Sequence, residues 1–445
     1  MVDVSTLSYP FTNDVALNAP DFRLSVSGAQ VPFGIRQLVD RVEYESSDGM
    51  ADLMRVTLRD PRYVPPKGLR AKGPLRGLGA GGGGSGSQLS LRDIKVFQPG
   101  NEMSLWLGYG SSLTHVGRVI IRKVRPNFPR DDIPTVEVIG YTKDSAMMDN
   151  APQPPKEKPP KGKKKKKGET GRAFKNTTFA DAVKLRAADY GFSGDSADVD
   201  PTPDARSPHN FFQKNGLTDY DFIKGLSNIT GYYFWVDADE HGRWTLHFKD
   251  PATLAKKILQ TKVYTFRYDQ GDIGSLLDFE AELALQGATT KLQARVKDAR
   301  TGKLFDATFE EENEETPDPL AVVPDDIELD VEGNLLEGEY KTASAVKLFI
   351  GDYSFQVRAN RRFRSEAELI QWARQWYRRH RENFVLSKGT IVGVEHVMAR
   401  QRHFISGIGM GLDGEYFFTN VTHKLGRDSG YQMECTMRKI VPEIA

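Results

Sequence analysis

The sequence contains little cysteine and no long apolar run. Cys435 is the only cysteine among the 445 residues, so a disulfide within this chain and a cysteine-rich zinc site are both excluded. No apolar stretch approaches the length that crosses a bilayer. The first twenty residues have neither the basic nor the apolar segment of a signal peptide. We therefore expect folding in a cytoplasm, without a membrane partner.

Net charge is also nearly absent, because the formal value at pH 7 is +1. A chain with so small a net charge has no global attraction to nucleic acid or to an anionic membrane. The charges are segregated, however. Residues 310–332 carry eleven acids and no base, whereas Lys163–Lys167 are five consecutive lysines. Blocks of this kind are typical of solvated loops, so any electrostatic role has to be local.

Catalytic motifs are missing as well. The sequence has no Walker A or dinucleotide-binding glycine loop between a strand and a helix, and "GGGGSGS" lacks the flanking elements of a nucleophile elbow. His396, His403 and His423 have no metal-ligand spacing, so we expect them to pack, cap or face solvent. We predict a protein that is not an enzyme and that binds no cofactor or metal, although a glycosidase-like carboxylate pair stays open.

The apolar content is sufficient for sizeable cores, at 39% apolar and 10% aromatic residues. The length predicts about three domains. Residues 1–150 alternate apolar and polar side chains, as in Val42, Tyr44 and Val56, and this period of two predicts half-buried strands. A glycine-rich stretch at 65–87 predicts a flexible loop within this N-terminal β domain.

Residues 171–255 are predicted to form a small α+β module. Thr178 and Thr218 each precede an apolar stripe at helical spacing, which ends near Gly191 and Gly231 respectively. The stretch "YYFWVDADEHGRWTLHFKD" then reads as a strand, a polar turn and a second strand. Two capped helices followed by a hairpin are therefore expected here.

Residues 256–445 return to a β pattern and form the predicted C-terminal β domain. Short strands such as "TIVGVEHV" and "GEYFFTNVTHKL" lie between glycine turns. An acidic loop at 310–340 and a helix at 365–383 interrupt them, and the helix places arginines beside tryptophans. We interpret those arginines as a solvated or intersubunit face, with base or phosphate binding as the alternative. The fold class is α+β and mainly β, with two related barrel-like β domains.

A polybasic, proline-rich segment at 151–170 joins the first β domain to the module. Three interpretations are open: nonspecific contact with an anionic polymer, a nuclear-type address, or an extended tether between domains. The proline flanks and the position between domains favour the tether. The candidate anion contacts are Lys163, Lys164, Lys165, Lys166 and Lys167.

Three stretches resemble the phage late control gene D proteins and the hub-like half of type VI secretion spike proteins. Along the chain they are the run from "FQPGNEMSLWLGYG" to "VEVIGYT", then "GLTDYDFIKGLSNITGYYFWVDADEHGRWTLHF", then "GEYFFTNVTHKLGRDSGYQMECTMRK". This is also the order of the family. The residues that carry the resemblance, taken as structural, are Gly216, Thr218, Asp219, Asp221, Phe222, Gly231, Tyr232, Gly108, Tyr109, Gly110, His423, Gly430 and Tyr431.

The resemblance implies a baseplate hub of a contractile phage tail or phage-like injection particle, assembled in the host cytoplasm. Such hubs are homotrimers that join a hexameric tail tube to a trimeric central spike, here a separate protein. Two β domains in each of three chains would present six equivalent edges to the tube. Tape-measure protein and DNA would pass through the lumen without specific recognition, and baseplate wedge proteins would be further partners. From the residue pattern we predict that the Gly216–Tyr232 module, with residues 217–249, lies outside the ring, because its helices interrupt the tube-forming β domains.

Two alternatives to a structural hub stay open at this stage. One is a nucleic-acid-binding virion protein that uses the lysine run. The other is a component of a cell-wall hydrolase at the tail tip.

Overall fold

The computed structural model describes residues 19–59, 96–129, 133–150, 171–202, 209–250, 263–268, 275–283, 291–297, 304–310, 354–357, 385–409, 411–427 and 429–440. Four predicted features lie outside the described residues: the glycine-rich loop 65–87, the polybasic segment 151–170, the helix 365–383 and, beyond Glu310, the acidic loop.

Strands account for most of the described chain. They are β1 (Pro20–Val26), β2 (Ala29–Gln30), β3 (Val39–Ser47), β4 (Leu53–Arg59), β5 (Glu102–Tyr109), β6 (Ser112–Asn127), β7 (Thr135–Tyr141), β8 (Gly171–Thr177), β9 (Ala197–Val199), β10 (His209–Lys214), β11 (Tyr233–Ala238), β12 (Trp244–Lys249), β13 (Thr265–Arg267), β14 (Leu276–Leu283), β15 (Lys291–Lys297), β16 (Leu304–Glu310), β17 (Ser354–Val357), β18 (Val385–Val392), β19 (Arg402–Ser406), β20 (Gly414–Gly426) and β21 (Gly430–Lys439). The α-helices are α1 (Phe33–Arg36), α2 (Ser145–Met148), α3 (Phe179–Ala188) and α4 (Asp219–Thr230). The chain is mainly β, as the sequence pattern predicts.

One large sheet contains strands from both ends of the chain. Its order is β14-β18-β21-β20-β3-β4-β7-β6-β5-β1-β2, and β19 joins at β20 and in turn pairs with β13. The connection between the two β regions is the antiparallel pair β3·β20, in which His423 lies opposite Tyr44. The N-terminal and C-terminal β regions are therefore hydrogen-bonded into a single sheet within the described residues.

Alternation along the strands decides which face of this sheet is buried. In β3, Val42 and Tyr44 point into a core while Glu43 lies on the opposite face. Across the neighbouring strand, Arg55 Nη1 donates to Glu43 Oε2 at 3.0 Å. Arg125 Nη1 of β6 reaches Glu137 Oε2 of β7 at 3.3 Å. The face opposite the core thus carries cross-strand ion pairs.

The module has two helices and two small sheets. β11 and β12 form the predicted hairpin, β9 adds to it in parallel, and β8 pairs with β10. The sequence pattern did not indicate β8, β9 or β10. The helix α3 ends at Ala188, so Gly191 lies beyond it in the following turn, whereas Gly231 ends α4 directly with a left-handed φ of 78°.

Three clusters of buried side chains hold the structure together. The first lies in the N-terminal β region, the second in the module and the third in the C-terminal β region. Leu425 and Tyr431, from the C-terminal strands, belong to the first cluster. The pairing of β3 with β20 therefore joins the hydrophobic packing of the two β regions as well as their backbones.

Candidate functional site: the seam between the two β regions

We define the seam as the paired strands β3 and β20 together with four residues that contact one another there. These residues are Tyr109, Gly393, His423 and Tyr431. Three of these were singled out from the sequence, and the structure brings them together. The Tyr109 hydroxyl donates to the Gly393 carbonyl at 2.9 Å, and the Tyr109 and Tyr431 rings lie 5.8 Å apart. The seam thus connects the end of β5 to β20, β21 and the residue after β18.

His423 is fully buried in the seam with both ring nitrogens occupied. A backbone carbonyl can only accept, so Nε2 donates to the Val397 oxygen at 2.7 Å. The other nitrogen, Nδ1, therefore accepts from the Tyr431 hydroxyl at 2.8 Å. Burial lowers the pKa of His423 to about 4. A neutral imidazole with fixed donor and acceptor roles is a structural group here, and it has no position open to a ligand.

Two glycines at or near the seam allow other atoms to lie very close to their backbones. A Cβ on Gly393 would lie 2.3 Å from Tyr431 Cγ, which is well inside van der Waals contact. Gly108 has the same role in the hairpin of β5 and β6, since its Cβ would lie 2.0 Å from the Ser112 carbonyl oxygen. The motif Gly108-Tyr109-Gly110 therefore places a tyrosine at the seam next to a tight hairpin turn.

A buried polar cluster lies beside the seam, between the large sheet and the module. We call it the junction cluster. It consists of Tyr44, Asp52, Asp144, Arg400 and Trp235. Tyr44 donates its hydroxyl hydrogen to Asp52 Oδ2 at 3.1 Å, and Arg400 Nη2 lies 3.7 Å from the same oxygen.

Arg400 connects the sheet to the module within this cluster. Its guanidinium donates to the Ser47 carbonyl and, at 3.0 Å, to Ser46 Oγ. On the other side its Cζ lies 5.0 Å from the centre of the Trp235 ring on β11. Nothing in the local sequence "MARQRH" distinguishes Arg400 from an exposed arginine, so sequence reasoning missed the cluster.

Other contacts also fix the module on the large sheet. Lys224 Nζ donates to the Asp48 carbonyl at 3.0 Å, and Trp244 Nε1 donates to Glu102 Oε1 at 3.0 Å. The rings of Tyr233 and Phe417 stack at 5.3 Å. The module therefore contacts both the N-terminal and the C-terminal β regions.

Asp219, a motif residue at the start of α4, ties the module together from inside. Its Oδ1 accepts from Gln213 Nε2 at 2.7 Å, and its Oδ2 accepts from the Tyr190 hydroxyl at 2.6 Å. Arg172 Nη1 lies 3.4 Å from Oδ1. One buried carboxylate thus joins β8, β10 and the end of α3 to α4.

The remaining motif residues of the module also make structural contacts. Thr218 Oγ1 accepts from the Asp221 backbone N–H at 3.0 Å and donates to its carboxylate at 2.7 Å. Phe222 stacks on Phe174 with 5.2 Å between ring centres. The Tyr232 hydroxyl donates to the Pro201 carbonyl at 2.7 Å. Gly216 lies in a turn, and Gly430 is the first residue of β21, opposite Gly426; both have a left-handed φ.

The other candidate residues are the lysine run and the histidines of the C-terminal β region. Lys163–Lys167 lie outside the described residues. Within the part of the chain that the structure describes, no three His, Cys, Asp or Glu side chains are grouped so as to hold a metal ion. His403 is buried, and its Nδ1 accepts from the Tyr264 backbone N–H at 3.2 Å. None of the described helices is both long and apolar enough to cross a membrane.

Comparison with known proteins identifies the fold. No family model and no curated protein matches the chain. Among solved structures, the prophage MuSo2 43 kDa tail protein from Shewanella oneidensis is similar with a TM-score of 0.54 and 12% identity, over 95% of this chain and 98% of that one. A tail protein from Neisseria meningitidis MC58 gives a TM-score of 0.52 and 11% identity, over 95% and 96% of the two chains.

A third structure, the E. coli c3393 protein of the type VI secretion system, has a TM-score of 0.48 at 10% identity, and a score at that level does not establish a shared fold. The two tail proteins match this chain over nearly their whole lengths. The chain therefore has the fold of these two tail proteins.

Proposed function

We propose that this chain is a structural, non-enzymatic component of a phage or phage-like tail, and specifically the baseplate hub of a contractile particle. In this role three copies would form a ring that joins the hexameric tail tube to a trimeric central spike. The observation that carries the proposal is the fold shared with two tail proteins over almost the full length of each.

The seam supports the symmetry that the hub requires. Because β3 and β20 pair continuously, the two β regions of one chain form one rigid unit with a fixed mutual orientation. Three such units have six β regions, which is the number needed to match a sixfold tube. We further propose that the module lies outside the ring, with wedge proteins around it, and that tape-measure protein and DNA pass through the lumen.

Native mass spectrometry of the purified chain, alone and mixed with a candidate tail tube protein and a candidate spike protein, tests the proposal. We expect a homotrimer that binds one trimeric spike, together with a larger complex that contains the tube protein. A chain that stays monomeric in the presence of both partners would contradict the hub assignment. Clearing of a peptidoglycan gel by the purified chain would instead favour the hydrolase alternative.

A further inference from the structure

Two buried carboxylates lie close together in the junction cluster, because Thr142, two residues before Asp144, donates its backbone N–H to the Asp52 carbonyl at 3.0 Å. Asp52, which precedes β4, is 3% exposed, and Asp144, which precedes α2, is 1% exposed. Arg400 is bound to Asp52, Ser46 and the Ser47 carbonyl, and its charge lowers the pKa of Asp144 only as a minor contribution. An uncompensated negative charge at this depth is costly, so the pair is stable only if one carboxyl keeps a proton.

Asp144 is the carboxyl with the weaker compensation. Its Oδ1 has no hydrogen-bond partner among the described residues, although it is buried. Asp52, by contrast, accepts from the Tyr44 hydroxyl at 3.1 Å and from the Ser47 backbone N–H at 3.1 Å. Asp144 also lies where the module rests on the sheet, because the short helix α2 that follows it packs against α4.

The groups that face Asp144 come from several elements. They are Asp52 before β4, Arg400 before β19, Tyr220 on α4 and, through Asp52, Tyr44 on β3 and Asp237 on β11. Arg400 is the one cation among them. Burial raises the pKa of Asp144 to about 7, although a hydrogen bond with the Thr142 side chain and, less strongly, the charge of Arg400 oppose the shift. Burial also raises the pKa of Asp52 above its ordinary value, against the charge of Arg400.

Because its pKa is raised, ionisation of Asp144 destabilises the folded chain. Asp144 binds its proton more tightly in the folded chain than in the unfolded chain, where its pKa is about 3.9. The stability that this proton contributes is complete below that value, and it is lost as the pH rises through about 7. Above that pH, the junction cluster holds two ionised carboxylates, Asp52 and Asp144, and one guanidinium, that of Arg400.

We propose that the junction cluster is a proton-controlled latch between the module and the large sheet. While one proton remains on the Asp52–Asp144 pair, α2 and α4 stay docked on the β3–β4 turn, and Trp235 stays on Arg400. When both carboxylates are ionised, the contact opens far enough to hydrate Asp144. The latch is a property of this chain alone and does not depend on the proposed role in a tail.

Hydrogen–deuterium exchange of the full chain at about pH 6 and about pH 8 tests the latch. After correction for the intrinsic exchange rate, amides of α2 and α4 are expected to lose about tenfold in protection at the higher pH, because ionisation of a group with a pKa of about 7 favours the hydrated, open state by that factor. Amides of β6 and β7, on the N-terminal side of the sheet, are expected to keep their protection.

The variant Asp144→Asn removes the ionisation and is expected to abolish this pH dependence. Asp149→Asn is the matched control, since Asp149 follows α2 but is 68% exposed, and it is expected to retain the wild-type response. Should Asp144→Asn fail to fold, infrared spectroscopy of the wild-type chain provides an independent measurement. A protonated carboxyl band that disappears with a midpoint near pH 7 supports the latch. A band that is absent at about pH 6, or protection in α4 that does not change with pH, would overturn it.

Discussion

Replacing Gly393 by alanine is the most direct test of the packing at the seam. The added Cβ would lie 2.3, 2.4 and 2.5 Å from Cγ, Cδ1 and Cδ2 of Tyr431. The backbone of Gly393 is outside the left-handed region, so alanine adds no conformational strain and the effect is purely steric. Relief therefore requires movement of the Tyr431 ring or of the strand that carries it.

Both movements are expected to cost free energy. The Tyr431 side chain is buried, its hydroxyl is held by His423 at 2.8 Å, and its carbonyl accepts from the Gly393 backbone N–H at 3.0 Å. Overpacking of a core costs about 1–3 kcal/mol, and loss of the bond between Tyr431 and His423 adds about 1 kcal/mol. We therefore expect Gly393→Ala to lower the free energy of unfolding by about 2–4 kcal/mol.

Urea unfolding of the two proteins measures this difference, with Gly225→Ala as the control. A Cβ on Gly225 meets no atom within 4 Å, and the residue lies inside α4, so that change is expected to raise stability by up to about 1 kcal/mol. In a Tyr431→Ala background the penalty at Gly393 should disappear. An equal penalty with and without the Tyr431 ring would refute the steric explanation.

Three further changes test the module, the buried histidine and the lysine run. Asp219→Ala leaves Gln213 and Tyr190 without their hydrogen-bond acceptor, so we expect it to lower the free energy of unfolding by about 3 kcal/mol. The control Asp195→Ala, at an exposed position, should change it little. Thermal unfolding of both variants measures the difference. Burial lowers the pKa of His423 to about 4. The neutral ring therefore contributes fully to the free energy of unfolding above about pH 6.5, and this contribution falls by about 2 kcal/mol as the pH drops to about 5. Urea unfolding at several pH values should show a smaller loss of stability in acid for His423→Gln than for the wild type. Deleting residues 156–167 should leave assembly and DNA retention at moderate salt unchanged; weaker retention would favour the nucleic-acid alternative.

The features that sequence predicted well are those with local causes. Thr218 caps α4 because its hydroxyl reaches a backbone N–H three residues on, at 3.0 Å, and such spacing is visible in the sequence. The hairpin of β11 and β12 follows from alternation and a polar turn. The strand predicted as "TIVGVEHV" is wrong beyond Val392, because Gly393 leaves the sheet to pass Tyr431, a contact that no local pattern encodes.

The features that sequence missed depend on residues far apart in the chain. Asn420 Nδ2 donates to Glu45 Oε1 across the seam at 2.8 Å, although the two residues are 375 positions apart in the sequence. Asp52 and Arg400 are an ordinary aspartate and arginine in sequence and become a buried pair only through this pairing. The exposed β8 strand has few of the apolar residues by which strands are recognised. Contacts between residues that are distant in the sequence were therefore a greater obstacle to predicting the structure than weak strand propensity was.

The seam also determines when the fold can be completed. Strand β3 is synthesised early, but its partner β20 comes near the end of the chain, and pairing across such a separation forms slowly. Until then, β3 has an open edge with apolar Val42 and Tyr44 on one face, and unpaired edges of this kind associate with other chains. Glu43 and Glu45 alternate with those residues on the other face, so like charges would oppose each other if two β3 edges paired in register. The same glutamates accept from Arg55 and from Asn420 of β20 in the finished sheet, which favours the correct partner over a second copy of β3.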